Sequence, residues 1–166
     1  MGWLQRLFGG SDERRQAQAE AYNSLRMQVL QLTPSALALD EADPAHVIGV
    51  LMETYLGPVV TLVSVADGTT SLYFSNGGGI IGTGEHEPVR MASMALIDAA
   101  QDYRSHASLT NTYPPPQKKH VRFYFVTGGG VYTAEALEKD LGNNRHALSE
   151  FFHKGHEVIT AIRRHS

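Results

Sequence analysis

Hydrophobic positions near the start of the chain keep a helical rhythm. Tyr22, Leu25, Val29 and Leu32 recur at helical spacing behind Ser11, Asp12 and Glu13, whose oxygens cap free amides and whose charges complement a helix dipole. This pattern predicts a helix over 11–32, stopped by Thr33-Pro34. Asp43-Pro44 has the form of a second start, with the acid as cap and the proline at the first helical position. Val47, Val50, Leu51 and Tyr55 then predict a helix over 44–56, closed by Gly57-Pro58.

Beyond Pro58 the rhythm changes to that of strands. The β-branched run 59–66, the dipeptide Asp67-Gly68 and the return 69–75 predict a hairpin with a two-residue turn. Val59, Val63 and Val65 lie on one face of its first strand and Val60 and Leu62 on the other, so the sheet needs cover on both sides. A glycine-rich crossing over 76–87 leads into a helix over 88–104, whose Val89, Ala92, Leu96, Ala100 and Tyr103 share the inward face. Met91 and Met94 point to the other side and are candidate interface residues, since exposed thioethers suit adaptable contacts.

The polar stretch 105–120, with Pro114, Pro115 and Pro116, reads as a semi-rigid connector. Strands over 121–127 and from Val131 to Thr133, joined by Gly128, Gly129 and Gly130, predict a second hairpin. A short helical turn from Thr133 through Leu141 should follow, closed by Gly142. The last helix, over 145–164, carries Leu148, Phe151, Val158 and Ile162 inward, with Gly155 at the centre of that stripe as a close-packing position. The resulting expectation is an α+β fold, an antiparallel sheet of two β-hairpins with helices packed on it. It forms a single domain over 11–166 behind a flexible or amphipathic tail over 1–10 that bears Trp3, Leu4, Leu7 and Phe8.

Composition narrows the functional classes. A chain of 166 residues that is 42% hydrophobic can bury a core without metals or disulfides, and it has no cysteine for a thiolate site or a Cys nucleophile. A formal charge of -3 is not the footprint of a duplex-binding protein, so no nucleic acid is expected. No apolar run approaches the length of a membrane span, which predicts a cytoplasmic protein without membrane contact.

Two clusters invite chemistry. Gly77, Gly79 and Gly82 match G-x-G-x-x-G, with Gly84, Glu85 and His86 beside them. That fingerprint works where a parallel strand feeds a helix, whereas here the preceding strand belongs to an antiparallel hairpin, so a structural loop and a solvated helix-capping turn are expected. On the last helix, His146, Glu150 and His153 at i, i+4 and i+7 share one face and have metal-ligand chemistry, but that face lies opposite the apolar stripe and reads as solvated surface. No catalytic residue, metal or cofactor is therefore assigned. Phe123, Tyr124 and Phe125 read as sheet core.

The order helix, hairpin, long helix, hairpin and terminal helix, with the Asp67-Gly68 hairpin leading to the alanine-rich helix 88–104, resembles the roadblock and dynein-light-chain family of profilin-like and longin-like architecture. The resemblance extends over 44–164. It implies a non-enzymatic, homo-oligomeric module that scaffolds or regulates a protein partner, in bacteria often a small GTPase. The alternative is a small-molecule-binding protein or enzyme that uses loop 77–84 with Glu85 and His86.

Overall fold

A computed structural model describes residues 2–39, 43–80 and 82–166, and of 2–11 the backbone alone. The elements in chain order are α1 (Gly2–Leu30), β1 (Val47–Tyr55), β2 (Val59–Val65), β3 (Thr70–Phe74), β4 (Gly79–Ile80), α2 (Glu87–Tyr103), β5 (Ser108–Thr110), β6 (His120–Thr127), β7 (Gly130–Leu137), α3 (Glu138–Gly142) and α4 (Ser149–His165). The strands form one antiparallel sheet in the order β4-β3-β2-β1-β6-β7-β5. The two hairpins expected from the alternating segments are β2–β3 and β6–β7, and β1 joins them at the centre of the sheet.

Side chains alternate across the sheet, which divides the core in two. Val50 and Met52 of β1, Leu62 of β2 and Phe123 and Phe125 of β6 meet the apolar stripes of α2 and α4 on one face. Ile48 and Leu51, Val63 and Val65, and Tyr124 and Val126 meet Val29 and Leu30 of α1 on the other. The two-sided apolar character of 59–65 is thereby satisfied, in an α+β sandwich with helices on both faces.

The segment expected as a helix over 44–56 is instead the central strand β1. A strand covered on both faces needs no polar alternation, so Val47, Val50 and Leu51 fit either rhythm, and pairing with β2 on one side and β6 on the other decides it. The Asp43 carboxylate does accept a backbone N–H, that of Ala45 at 2.9 Å, but the motif closes a turn rather than opening a helix.

Other boundaries move for similar reasons. Helix α1 begins at Gly2 rather than Ser11 and runs through Gly9 and Gly10, because a capping residue acts as a cap only where the chain leaves helical dihedrals. The apolar side chains expected on the tail, Trp3, Leu4, Leu7 and Phe8, lie outside the described side chains, as does Ile81 within the glycine loop. The connector 105–120 contains the short strand β5, and of the helical turn expected from Thr133 through Leu141 the first part continues β7, where Glu135 pairs with Arg122 of β6 at 3.0 Å, and the second is α3. Helix α4 starts at Ser149, four positions later than expected, since His146 and Ser149 are tied in a turn by the His146 N–H donating to Ser149 Oγ at 3.1 Å.

Gly155 sits where α4 crosses β1. A Cβ there would lie 2.5 Å from Met52 Sδ, so the glycine sets the distance between helix and sheet. Gly155→Val is expected to cost about 1–3 kcal/mol by overpacking against Met52, measured as a shift in the urea midpoint at unchanged slope.

Candidate functional site

The glycine loop is occupied by its own packing. Gly77 and Gly82 adopt positive φ, and a Cβ on Gly84 would come within 2.1 Å of the Gly68 carbonyl oxygen, so this loop lies directly on the β2–β3 turn. Thr83 reinforces the contact by donating its hydroxyl to the Thr70 carbonyl at 2.9 Å. Gly79 pairs with Tyr73 as part of β4. Glu85 is exposed, and His86, also exposed, stacks its ring on that of His165 at 5.8 Å.

The three candidate metal ligands engage separate partners. His146 Nδ1 accepts the Leu148 N–H at 3.0 Å, Glu150 accepts the Tyr103 hydroxyl at 3.3 Å, and His153 Nε2 bonds Asn144 Oδ1 at 2.8 Å. His146 precedes α4, so the i, i+4, i+7 geometry that would align it with the other two is not realised. Among the described residues no three His, Asp or Glu side chains gather around one point. Met91 is exposed, whereas Met94 is half-buried in a hollow beside Leu39, His46 and Asp98.

A charged network lies beneath α1. Glu53, from the middle of β1, is fully buried and accepts two hydrogen bonds from Arg26 at 2.7 and 2.8 Å, with Thr61 donating a third at 2.8 Å. Tyr22 completes it through Thr61 at 2.7 Å, and both Arg26 and the Tyr124 hydroxyl donate to the Pro114 carbonyl, which fastens the proline connector across the sheet. Burial opposes the Arg26 charge, but hydrogen bonding and attraction to Glu53 outweigh it and hold the guanidinium above its usual range. Both oxygens of this carboxylate accept hydrogen bonds within the fold, so the network reads as a structural tie.

Burial, followed by the Glu53 charge, pushes the Tyr22 phenol up to about 12. Burial also pushes Tyr124 to about 12, partly offset by Arg26. In the unfolded chain both ionise near 10, so above that pH the unfolded state has lost protons that the fold retains. Stability is expected to be undiminished by these two groups below pH 10 and to fall as pH rises from about 10 to 12; urea unfolding across this range, followed by tyrosinate absorbance, checks it.

An unfilled concavity lies at one end of the sheet. Antiparallel pairing of Tyr55 with Val59, Thr54 with Val121 and His120 with Leu137 brings the β1–β2 turn, the entry to β6 and the exit of β7 to the same pole. They enclose an open groove of about 680 Å³. The β1–β2 turn contributes Tyr55, Leu56 and Gly57 to its lining, the entry to β6 Lys118 and Lys119, and the β7–α3 corner Leu137, Glu138 and Lys139, with Gly142 and Asn143 beyond them. Leu56 is 59% and Leu137 42% exposed, and both large aliphatic side chains line this one cavity.

The backbone of this groove is pinned. Glu138 N–H donates to the Lys119 carbonyl at 3.0 Å, and Lys119 holds a φ of +66°, a conformation that costs a lysine energy which glycine would not incur. Lys118, Lys119 and Lys139 are exposed, and none forms a salt bridge among the described residues. In a chain of net charge -3, the residues lining this groove thus include three cations and one acid, Glu138. The adjacent Lys118 and Lys119 are visible in the sequence, but their meeting with Leu56 and Leu137 depends on strand register, which no local pattern reveals.

Fold and site together define an α+β protein with an open, apolar and cationic groove at one pole of its sheet. Comparison with models of known protein families, with curated proteins and with solved structures gives no significant match. No helix among the described residues is long and apolar enough to cross a membrane.

Proposed function

We propose that this chain is a non-enzymatic protein-interaction module, cytoplasmic and self-associating, that docks a protein partner in the groove between the β1–β2 turn and the β7–α3 corner. The observation that carries this reading is the pair Leu56 and Leu137, large apolar side chains left exposed in the lining of one cavity. Covering them is favourable at about 25 cal/mol per Å² of apolar surface removed from water. The dispersed placement of Glu85, His86, His146, Glu150 and His153 supports binding rather than chemistry, which requires an acid, a base or ligands converging on one reacting atom. The topology-level resemblance to roadblock-type scaffolds points the same way.

The test is a photo-crosslinkable amino acid at position 56, with a second variant at exposed Ser24 as control, expressed in the native cell. A discrete polypeptide adduct at position 56, identified by mass spectrometry and lost on adding Leu137→Arg, is the expected result. Adducts equal at both positions, or none at 56, would overturn the reading. Light scattering addresses self-association, for which a monomer at all concentrations is the contrary outcome.

A further inference from the structure

Resting on the docking reading above, we infer that the groove takes an acidic peptide segment with a large apolar side chain. The apolar chain buries against Leu56 and Leu137, and neighbouring carboxylates reach Lys118, Lys119 and Lys139.

The charge pattern selects this class. Lysines rather than arginines line the groove, so recognition is by point charge, without the fork that favours a planar bidentate anion. They come from two places in the sequence, the entry to β6 and the start of α3, which the pairing of His120 with Leu137 and the bond from Glu138 N–H to the Lys119 carbonyl bring together, so the positive charge gathers beside Leu137. A ligand that carries carboxylates next to a large apolar side chain matches cations set beside Leu56 and Leu137, whereas a compact polyanion would leave those apolar side chains uncovered. The long lysine stems add apolar wall while their ammonium groups stay at the rim. Apolar floor and cationic rim are the arrangement of an interface whose centre excludes water and whose edge sets specificity and on-rate.

The geometry favours a chain segment over an enclosed small molecule. The groove is open to solvent at the pole of the sheet, and backbone bonds tie its lining, from Glu138 N–H to the Lys119 carbonyl and from Leu56 N–H to the Pro58 carbonyl. A preformed groove spares its partner the ordering cost on one side of the interface.

Selection of a displayed library of random short peptides against the full chain tests the inference. The expected outcome is enrichment of sequences that combine Asp or Glu with Leu, Ile or Phe. A synthetic peptide of the enriched sequence should bind roughly ten-fold more weakly to the triple variant Lys118→Ser, Lys119→Gly, Lys139→Ser, as expected for the loss of a few partly screened ion pairs. The same peptide should lose affinity as salt is raised. Lys119→Gly keeps the fold because glycine accepts the positive φ, so loss of binding there reads the charge and not misfolding.

The contrary outcomes are distinct. Enrichment of neutral or basic peptides that need Leu56 but ignore the lysines would overturn the acidic partner and leave the docking groove standing. No enrichment at all, together with no adduct from position 56, would overturn both. Binding to phosphatidylserine vesicles that the triple lysine variant abolishes, without peptide enrichment, would replace the peptide with an anionic membrane surface.

Discussion

Arg26→Ala is expected to lower the unfolding free energy by about 3–5 kcal/mol, because it leaves Glu53 charged, fully buried and without its cation. Thr61 and Tyr22 still offer hydroxyls, but neither neutralises the carboxylate. The size of the loss comes from the stranded charge rather than from the worth of the pair. Arg26→Met with Glu53→Leu should therefore recover most of it, since a buried ion pair is often no better than well-packed apolar side chains. Guanidinium denaturation of the two variants beside the parent checks both statements, and a loss below about 1 kcal/mol in Arg26→Ala would mean that α1 is not tied to the sheet by this pair.

A loss of similar size, about 3–5 kcal/mol, is expected for Phe151→Ala on the opposite face. Phe151 of α4 is fully buried, with ring centroids 5.3 Å from Tyr103 of α2, 5.7 Å from Phe123 and 5.3 Å from Phe125 of β6. It is the point where two helices and the sheet meet, so its removal opens a cavity that no single neighbour can fill. Phe151→Leu keeps most of the volume and should cost no more than about 1.5 kcal/mol. The contrast between the two, read from urea midpoints at equal slopes, separates cavity formation from general disturbance of α4.

The parts of the fold that could be read in advance are those whose signal is local. Asp67-Gly68 between two β-branched runs marks the hairpin, but the register of Ser64 with Thr70 and the bond from Val65 N–H to the Thr69 carbonyl make its loop three residues, 66–68, with Gly68 at φ +94°, rather than the two residues expected. Helix α2 and the stripe of α4 follow from a 3.6-residue rhythm that survives because one face of each stays wet. Strand β1 gave no such signal: covered on both faces, its continuous apolar run 47–52 is compatible with either element, and only its partners β2 and β6 decide. Glu53 was hidden for the same reason, since a lone acid in that run takes its meaning from Arg26 on a distant helix. The groove was illegible because its residues are assembled from three separated turns, and a pole of a sheet is a property of register rather than of any window of sequence.

The outermost strands give the molecule a particular temperament in concentrated solution. Strand β4 has two residues and β5 has three, each laid over a much longer neighbour. Such stubs offer an incoming chain almost no ladder to extend, which is how natural sheets avoid fibrous growth. A second sheet therefore finds few backbone groups on β4 or β5 themselves with which to pair, and fusion of two sheets through these edge strands is disfavoured.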